Sequence, residues 1–355
     1  MTRTTTTRRG PLVAVLLAVA LLAAACGGSD SGASGDKKSG AITAPRVANT
    51  SSTQPTFVAT KYGVIKYGPD FGLKMSESDW KTFDSHAVGT QTVLSGQADI
   101  VAGSFVSDMV LAEKGQKFKA FCPYISNDDF VLVGANGVKS VSQLFEPGRR
   151  IAIDSPGGAG AIILNAILAA SGETRTAKDI KNAQILESSG LRLSAFAAGK
   201  VDATVIHKLQ YNSAKDKVKQ PAIIASLYEQ VPVFVKEVHA APAKWLDENL
   251  DTAAAYCAGV IKGMRELKAD QKLFNEAVDT YAESKPDNAA DLEEVFSLVQ
   301  KYDFWPEDGG LNEKNVQFMG EVAVQSGLLK SVPKFEDVVD PRPIEMALKM
   351  LAEQK

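Results

Sequence analysis

The stretch from Arg150 to Ala170, RIAIDSPGGAGAIILNAILAA, passes from one hydrophobic pattern to another. Arg150 to Ile153 is a short run with two isoleucines and predicts a strand. Ala161 to Ala170 is a longer apolar run and predicts a buried helix. Glycines and a proline separate the two runs. A strand that turns within a few residues into a helix is the repeating unit of an α/β sheet domain.

The turn itself, Ser155 to Gly160, has two interpretations. Glycines allow backbone amides to face a ligand, and the amide-rich start of the next helix favours an anion. The same residues also suit a tight turn that only caps the helix. Ile162 and Ile163 do not fit a dinucleotide-binding fingerprint, and no GxxxxGK[ST] motif occurs in the chain. A nucleotide cofactor is therefore not predicted, and we expect no other cofactor.

The alternation of strands and helices continues on both sides of this stretch. A first strand is predicted to end at Arg46–Ala48, and Gly96–Val101 is predicted to lead into a third. Further strands are predicted at Gly72–Met75, with a continuation at Trp80–Phe83, and at Phe118–Tyr124 and Phe130–Val133. From residue 242 onward the pattern is almost entirely helical, with helices predicted at Pro242–Asn249, Thr252–Ala269, Lys272–Ser284, Ala289–Lys301, Glu313–Ser326 and Ile344–Ala352.

One short pattern occurs twice, about a hundred residues apart. Leu94 to Ile100, LSGQADI, is echoed by Ala197 to Ala203, AAGKVDA. In each copy a glycine suits the left-handed end of a helix, and the aspartate three residues later can accept hydrogen bonds from backbone amides. The repetition predicts two similar lobes.

The N-terminus has the layout of a secretory signal. Arg3, Arg8 and Arg9 precede the apolar and small residues of Pro11 to Ala25. An uncleaved anchor is the alternative, although this segment is short for a membrane-spanning helix. The following residues, 26–40, are rich in Gly, Ser and charge and predict a flexible linker.

Composition excludes several classes of protein. The chain has 355 residues, 39 Lys+Arg and 42 Asp+Glu, a formal charge of −3, and no basic block for binding nucleic acid. Loss of the signal removes three arginines and makes the exported part more acidic. Three cysteines are too few for a disulfide scaffold, and His86, His207 and His239 lack the spacing of a zinc site. No metal site is predicted.

The remaining polar candidates each keep two interpretations. His86 and His207 are expected at the ligand-facing edge of the sheets, where they either donate to a ligand or bond to the backbone. Asp128–Asp129 either receives a ligand cation or forms a solvated turn. Arg192 either clamps a carboxylate or sulfonate or faces water. Sequence distance cannot decide whether Cys122 and Cys257 are bridged, and buried free thiols are the default expectation.

The residues that lead into Cys26, followed by Gly27 and Gly28, resemble a bacterial lipoprotein box. The resemblance implies that Cys26 is lipidated, with palmitate among the attached chains, and that residues 1–25 are removed. The exported domain is then held on the extracytoplasmic face of the cell membrane only by its lipid.

The lipoprotein start, the glycine–aspartate echoes and the SPGG turn together resemble the solute-binding proteins of ABC importers. The group most like this chain comprises the nitrate, sulfonate and taurine binders and their relatives for thiamine pyrimidine precursors. This resemblance implies a type II periplasmic-binding fold with two α/β lobes, a ligand cleft between them and a helical C-terminal part. Lobe 1 is expected at residues 41–130 and 236–355 and lobe 2 at 131–235, with crossovers near Ser126–Leu132 and Leu227–Val235.

The resemblance also implies a set of ligand-binding residues: Asn49, Thr50, Ser51, Ser104, Phe105, Ser155, Gly157, Gly158, Ala159 and His207, to which His86 is added as a departure from the family pattern. His86 stands where relatives have a glycine-rich turn, which argues against simple nitrate. Phe105 is expected to contact an apolar part of the solute.

The implied function is capture of a small organic anion or zwitterion, such as a sulfonate, an aromatic carboxylate or a pyrimidine precursor. A monomer would close on it and deliver it to a permease and its ATPase, without catalysis. The rival hypotheses are an exported lipoprotein enzyme and a ligand sensor on the same fold. Pyrimidine-precursor synthases of that fold carry a cysteine-rich motif that this chain lacks.

Overall fold

The computed structural model describes residues 42–354, apart from residues 52, 53, 84, 156, 182, 232, 287 and 309. The predicted signal (1–25), the lipidation site Cys26 and the linker (26–40) lie outside the described residues.

The described residues contain ten strands. They are β1 (Val47–Asn49), β2 (Trp80–Thr82), β3 (Ile100–Ser104), β4 (Phe118–Ile125), β5 (Phe130–Gly134), β6 (Ile151–Ile153), β7 (Gln184–Ile185), β8 (Ala203–His207), β9 (Ala222–Ser226) and β10 (Glu237–Pro242).

Fourteen α-helices accompany them in the described part of the chain, together with several short 3-10 turns. The helices are α1 (Val58–Tyr67), α2 (His86–Leu94), α3 (Phe105–Glu113), α4 (Ala159–Ala170), α5 (Ser189–Ala197), α6 (Lys208–Ala214), α7 (Leu227–Gln230), α8 (Ala243–Glu248), α9 (Leu250–Ala269), α10 (Gln271–Tyr281), α11 (Ala289–Lys301), α12 (Glu313–Gln325), α13 (Phe335–Val338) and α14 (Arg342–Glu353). None of these helices has both the length and the apolar composition needed to cross a membrane.

The strands form two sheets of the same design. The first has the order β2-β1-β3-β10-β4 and the second the order β7-β6-β8-β5-β9. In each sheet four strands run in the same direction, and the fifth, β10 in the first sheet and β5 in the second, lies between two of them and pairs antiparallel with both. Helices cover the strands, as parallel strands buried on both faces require. The fold is therefore two α/β lobes with a helical C-terminal part.

The chain passes from the first sheet to the second between Ile125 and Phe130, and it returns between Ser226 and Glu237. The two connections touch each other. The Asn127 side-chain amide donates to the Val231 carbonyl at 3.1 Å, and the Lys236 amide donates to the Ser126 carbonyl at 3.1 Å. The expected lobe boundaries stay a prediction.

The repeated glycine–aspartate pattern has the predicted structural role. Gly96 and Gly199 follow helices with φ of 73° and 63°, the left-handed region that glycine adopts without strain. The Asp99 carboxylate accepts from the Arg46 amide at 2.8 Å, and the Asp202 carboxylate accepts from the Arg150 amide at 3.0 Å. Each aspartate thereby links the start of its own strand to the start of a neighbouring parallel strand.

The strand expected at Gly72–Met75 is wrong. Gly72 has a φ of 82° and ends a 3-10 turn, so the chain reverses there instead of extending. Leu73 is fully buried, so this apolar residue packs into the core without belonging to a strand. Only Trp80–Thr82 forms the second strand.

Candidate functional site

A cavity of about 510 Å³ lies between residues of the two lobes. The carboxyl ends of parallel strands and the helix starts that follow them meet at this edge, the usual place for a ligand in an open α/β sheet. The described residues that line it are Thr50, Ser51, Gln54, Phe57, Ser85, His86, Ser104, Ser107, Phe130, Asp154, Ser155, Gly157, Gly158, Ala159, Gly160, Glu187, Ser188, Ser189, Arg192, His207, Lys236 and Glu237.

Nine of the eleven predicted ligand residues line this cavity, and Asn49 and Phe105 do not. The Asn49 side chain donates to the Ser51 carbonyl at 2.7 Å and accepts from the Tyr124 hydroxyl at 3.2 Å, so it shapes the turn. Phe105 is fully buried in the core. The aromatic rings at the cavity are instead those of Phe57 and Phe130.

Several serines at the cavity cap helices. The Ser85 hydroxyl accepts from the first turn of α2, the Ser104 hydroxyl from that of α3 and the Ser188 hydroxyl from that of α5. A serine before the first helical residue satisfies an amide that the helix cannot use itself. These hydroxyls therefore have a structural role even without a ligand.

The predicted amide-rich turn before α4 is occupied by a side chain of the protein itself. The Asp154 carboxylate accepts from the Gly160 amide at 2.7 Å and from the Ala161 amide at 2.9 Å. A methyl group on Gly158 would lie 2.3 Å from that carboxylate, so any larger residue there would displace the Asp154 side chain. The anion that the first turn of α4 favours is supplied by Asp154.

His86 lies in the first turn of α2 and forms an ion pair behind the cavity. Its Nε2 lies 3.0 Å from Asp108 Oδ1, and its Nδ1 lies 3.5 Å from the Thr50 hydroxyl. Burial alone would lower the pKa of His86, but the charges of Asp108 and Glu237 and the bond to Asp108 outweigh it and raise that pKa. Burial also raises the pKa of Asp108, against the opposing effect of His86.

The imidazole of His207, the last residue of β8, contacts Asp129 and Phe130. Its Nδ1 lies 2.5 Å from Asp129 Oδ1, and its ring centroid is 3.9 Å from that of Phe130. Burial raises the pKa of Asp129 and the neighbouring Asp128 charge adds to this, so the pKa stays above its usual value despite His207. The expectation of a solvated turn at Asp128–Asp129 is wrong, because both side chains are buried.

Lys236 joins this network from the second connection between the sheets. Its ammonium pairs with Asp128, lies 3.6 Å from Glu237 Oε1 and sits over the rings of Phe57 and Phe130. Burial would lower the pKa of Lys236, but the carboxylates of Asp128 and Glu237 outweigh burial and raise that pKa. Burial would raise the pKa of Asp128, but the charges of Lys236 and His207 outweigh burial and lower that pKa. The other oxygen of Glu237 accepts from the Ser51 hydroxyl at 2.6 Å.

Arg192 neither faces water nor extends freely into the cavity. Its guanidinium donates to the carbonyls of Val205, Leu186 and Glu187 at 3.0 to 3.1 Å. Burial lowers the pKa of Arg192, and the nearby Asp154 charge opposes this. The arginine therefore holds the loop before α5 against β8.

Asp128, Asp129 and His207 have the spacing of a metal site, with one ligand atom of each within 4.8 Å of the others. Their contacts are those of an ion-pair network, because Asp128 pairs with Lys236 and Asp129 with His207. The absence of a resident metal stays a prediction.

The sequence interpretation missed Asp154, Glu187, Lys236 and Glu237 as cavity residues. Asp154 could have been predicted from the sequence, because it directly follows the strand predicted at Arg150 to Ile153. Lys236 and Glu237 lie 108 and 186 residues from their partners Asp128 and Ser51, so no local pattern indicates them.

A family model described as NMT1/THI5 like matches residues 82–272. No curated protein sequence shows a significant match to the chain.

Solved structures with the same fold cover most of the chain. A periplasmic sulfonate-binding protein of a putative ABC transporter from Methylobacillus flagellatus has a TM-score of 0.67 at 17% identity, covering 87% of this chain and 94% of its own. The nitrate-binding protein from Synechocystis has a TM-score of 0.61 at 11% identity, covering 89% and 90%. A Candida albicans protein described as having the generic periplasmic binding protein fold has a TM-score of 0.57 at 12% identity, covering 87% and 94%. The chain therefore has the periplasmic binding protein fold.

Proposed function

Because the chain belongs to the NMT1/THI5-like family, we propose that it is the solute-binding lipoprotein of an ABC importer. The observation that carries this proposal is the cavity of about 510 Å³ lined by residues of both lobes. A solute that contacts both lobes at once binds the closed form better than the open form and so shifts the population toward closure.

The proposed ligand is a small organic anion or zwitterion, of the kinds that the sequence indicates. The zwitterion is the better supported of the two, because Glu187 and Glu237 line the cavity and can receive a cationic group, while Asp154 already takes the amides at the start of α4 that an oxyanion would use. The volume and the rings of Phe57 and Phe130 suit an organic solute better than a bare inorganic ion.

The proposed setting is the extracytoplasmic face of the cell membrane. Cys26 would carry the lipid, residues 26–40 would act as a linker, and the closed monomer would dock on a permease served by an ATPase. The proposal involves no bond-making step and therefore no enzymatic activity.

Calorimetry and small-angle X-ray scattering test the function together. We expect at least one solute in a panel of sulfonates, amino acids, aromatic carboxylates and aminopyrimidines, or in a growth-medium extract, to bind with a decrease in the radius of gyration. Absence of binding from every source, or binding without any change in size, would remove the support for a capture protein.

Fractionation of cells tests the anchor. The wild-type protein should stay with the membrane, and the Cys26→Ser variant should be released or retain its uncleaved N-terminus. A wild-type protein that is found free of membrane, with an unmodified Cys26 by mass spectrometry, contradicts the lipoprotein assignment.

A further inference from the structure

We infer that the solute recognised in this cavity carries a positively charged nitrogen, which is bound between carboxylates of the two lobes. This inference rests on the proposed function and specifies its ligand. It follows from a comparison of the charged groups at the cavity with the partners that each already has.

The cations at the cavity are all engaged by the protein. Lys236 pairs with Asp128 and also lies near Glu237. His86 pairs with Asp108 and His207 with Asp129, while the Arg192 guanidinium donates to three backbone carbonyls. An anionic solute would have to compete with these contacts or rely on the donors that they leave, Arg192 Nη2 and His207 Nε2.

The carboxylates outnumber the cations in every protonation state of the two histidines. Among the described residues, the cavity and its immediate partners include six carboxylates, Asp108, Asp128, Asp129, Asp154, Glu187 and Glu237, against Lys236, Arg192, His86 and His207. With both histidines charged, two carboxylates remain in excess. With both neutral, four remain.

With both histidines charged, Glu237 and Glu187 account for the excess, since the fourth cation, Arg192, lies near Asp154. Glu237 is buried and shares the single ammonium of Lys236 with Asp128. Glu187 is exposed at the cavity, and within the described residues its carboxylate forms no ion pair. The nearby Arg192 donates to the Glu187 carbonyl and leaves the Glu187 side chain out of that contact.

The two glutamates come from opposite lobes. Glu237 begins β10 of the first sheet, and Glu187 precedes α5 beside the second sheet. Closure around an empty cavity would bring like charges together, whereas closure around a protonated amine places a cation between them. The solute's charge is thereby coupled to lobe closure.

The first turns of α2, α3 and α5 are capped by serines, and that of α4 by Asp154, so the helix ends do not reverse this balance.

The test separates a yeast extract by charge. A strong cation exchanger loaded at low pH retains solutes with basic nitrogens, and an anion exchanger retains acids without them. The change in melting temperature of the purified protein is measured with each fraction. We expect the cation-exchange fraction to stabilise the protein, and mass spectrometry of the captured solute to show a basic nitrogen.

Two variants report on the proposed contacts. Glu237→Gln and Glu187→Gln should each weaken binding of the captured solute about tenfold or more, since a charge-assisted hydrogen bond contributes that much. Glu187 is exposed, so its variant tests the inference even if Glu237→Gln fails to fold. Glu276→Gln, on the exposed face of α10, is the matched control.

The outcomes separate the two proposals. Stabilisation only by solutes in which mass spectrometry finds no basic nitrogen, or unchanged affinity in Glu187→Gln, overturns the inference of a cationic nitrogen and leaves the capture function standing. If no fraction stabilises the protein, both proposals fail.

Discussion

The ammonium of Lys236 forms a buried ion pair with the carboxylate of Asp128, and this pair joins the two chain connections between the sheets. Asp128 also accepts from the Thr56 hydroxyl at 3.1 Å, and the Thr56 carbonyl accepts from the Trp305 indole at 2.8 Å. The helical C-terminal part, both connections and the cavity wall therefore meet at one charged pair.

Loss of the cation from this pair should be strongly destabilising. Lys236→Met leaves Asp128 as a buried charge without its partner, and we expect the free energy of unfolding to fall by about 3–5 kcal/mol. Urea unfolding at neutral pH measures the effect. The double variant Asp128→Asn/Lys236→Met should recover much of the loss, because it removes the uncompensated charge.

A matched control comes from the surface. Lys272→Met breaks an exposed pair with Glu276 and should change the free energy of unfolding by less than about 0.5 kcal/mol. Equal destabilisation by the single and double cavity variants would show that the loss comes from packing of the lysine stem and not from the unpaired charge.

The structure joins Cys122 in β4 to Cys257 in α9 by a disulfide, with their Cα atoms 5.5 Å apart. A cross-link over 135 residues restricts the unfolded chain, so reduction should lower the free energy of unfolding by about 2–5 kcal/mol. Melting with and without a reductant measures this, and Cys122→Ala/Cys257→Ala should show no response to the reductant. Full alkylation of both cysteines in the unfolded, unreduced protein would contradict the bridge.

Local patterns predicted the elements that local physics determines. Helix α11 begins and ends at the predicted residues, Ala289 and Lys301, because its apolar spacing and its cap are written in adjacent positions. Gly96 and Gly199 were predictable for the same reason, since a left-handed residue at a helix end favours glycine strongly. The fold could be inferred from these elements and their order.

Parts of the site that depend on distant partners were not predictable. The sequence around Asp128 predicts a turn, because its partner Lys236 lies 108 residues later and no local pattern indicates the ion pair. Phe105 follows a strand end as a ligand residue would, yet the helix that it begins turns its ring into the core. The carboxylate excess of the cavity is likewise a property of residues gathered from several elements, and the near-neutral total charge conceals it.

His239 should make the protein sensitive to acid. Its Nδ1 lies 2.8 Å from the Pro123 carbonyl in the core, and burial lowers its pKa to about 3. An unfolded chain takes up this proton near pH 6.5, whereas the folded chain does not until about pH 3. The contribution of neutral His239 to the free energy of unfolding is therefore fully present above pH 6.5. Between pH 6.5 and about pH 3 it decreases by up to about 1.4 kcal/mol per pH unit.

The variant His239→Asn isolates this contribution. Asparagine keeps a donor for the Pro123 carbonyl and does not titrate, so the dependence of unfolding free energy on pH should be shallower than in the wild type between pH 6.5 and 4. Urea unfolding across that range measures the difference. Parallel curves for the two proteins would show that His239 is protonated in the folded core or does not contribute to acid sensitivity.

Removal of the Asp154 carboxylate should create the oxyanion site that the protein itself fills. In Asp154→Ala the amides of Gly160 and Ala161 lose their acceptor, which costs about 0.5–2 kcal/mol of stability, as for a lost helix cap. The freed amides at the positive end of α4 then favour an anion.

Sulfate should raise the melting temperature of Asp154→Ala more than that of the wild type, with binding confirmed by calorimetry. Asp154→Asn keeps an oxygen acceptor for only one of the two amides, so its response to sulfate should lie between those of the wild type and Asp154→Ala. If sulfate stabilises wild type and Asp154→Ala equally, the carboxylate is not what keeps oxyanions from this turn, and the preference of the cavity for a zwitterion over a simple anion loses part of its support.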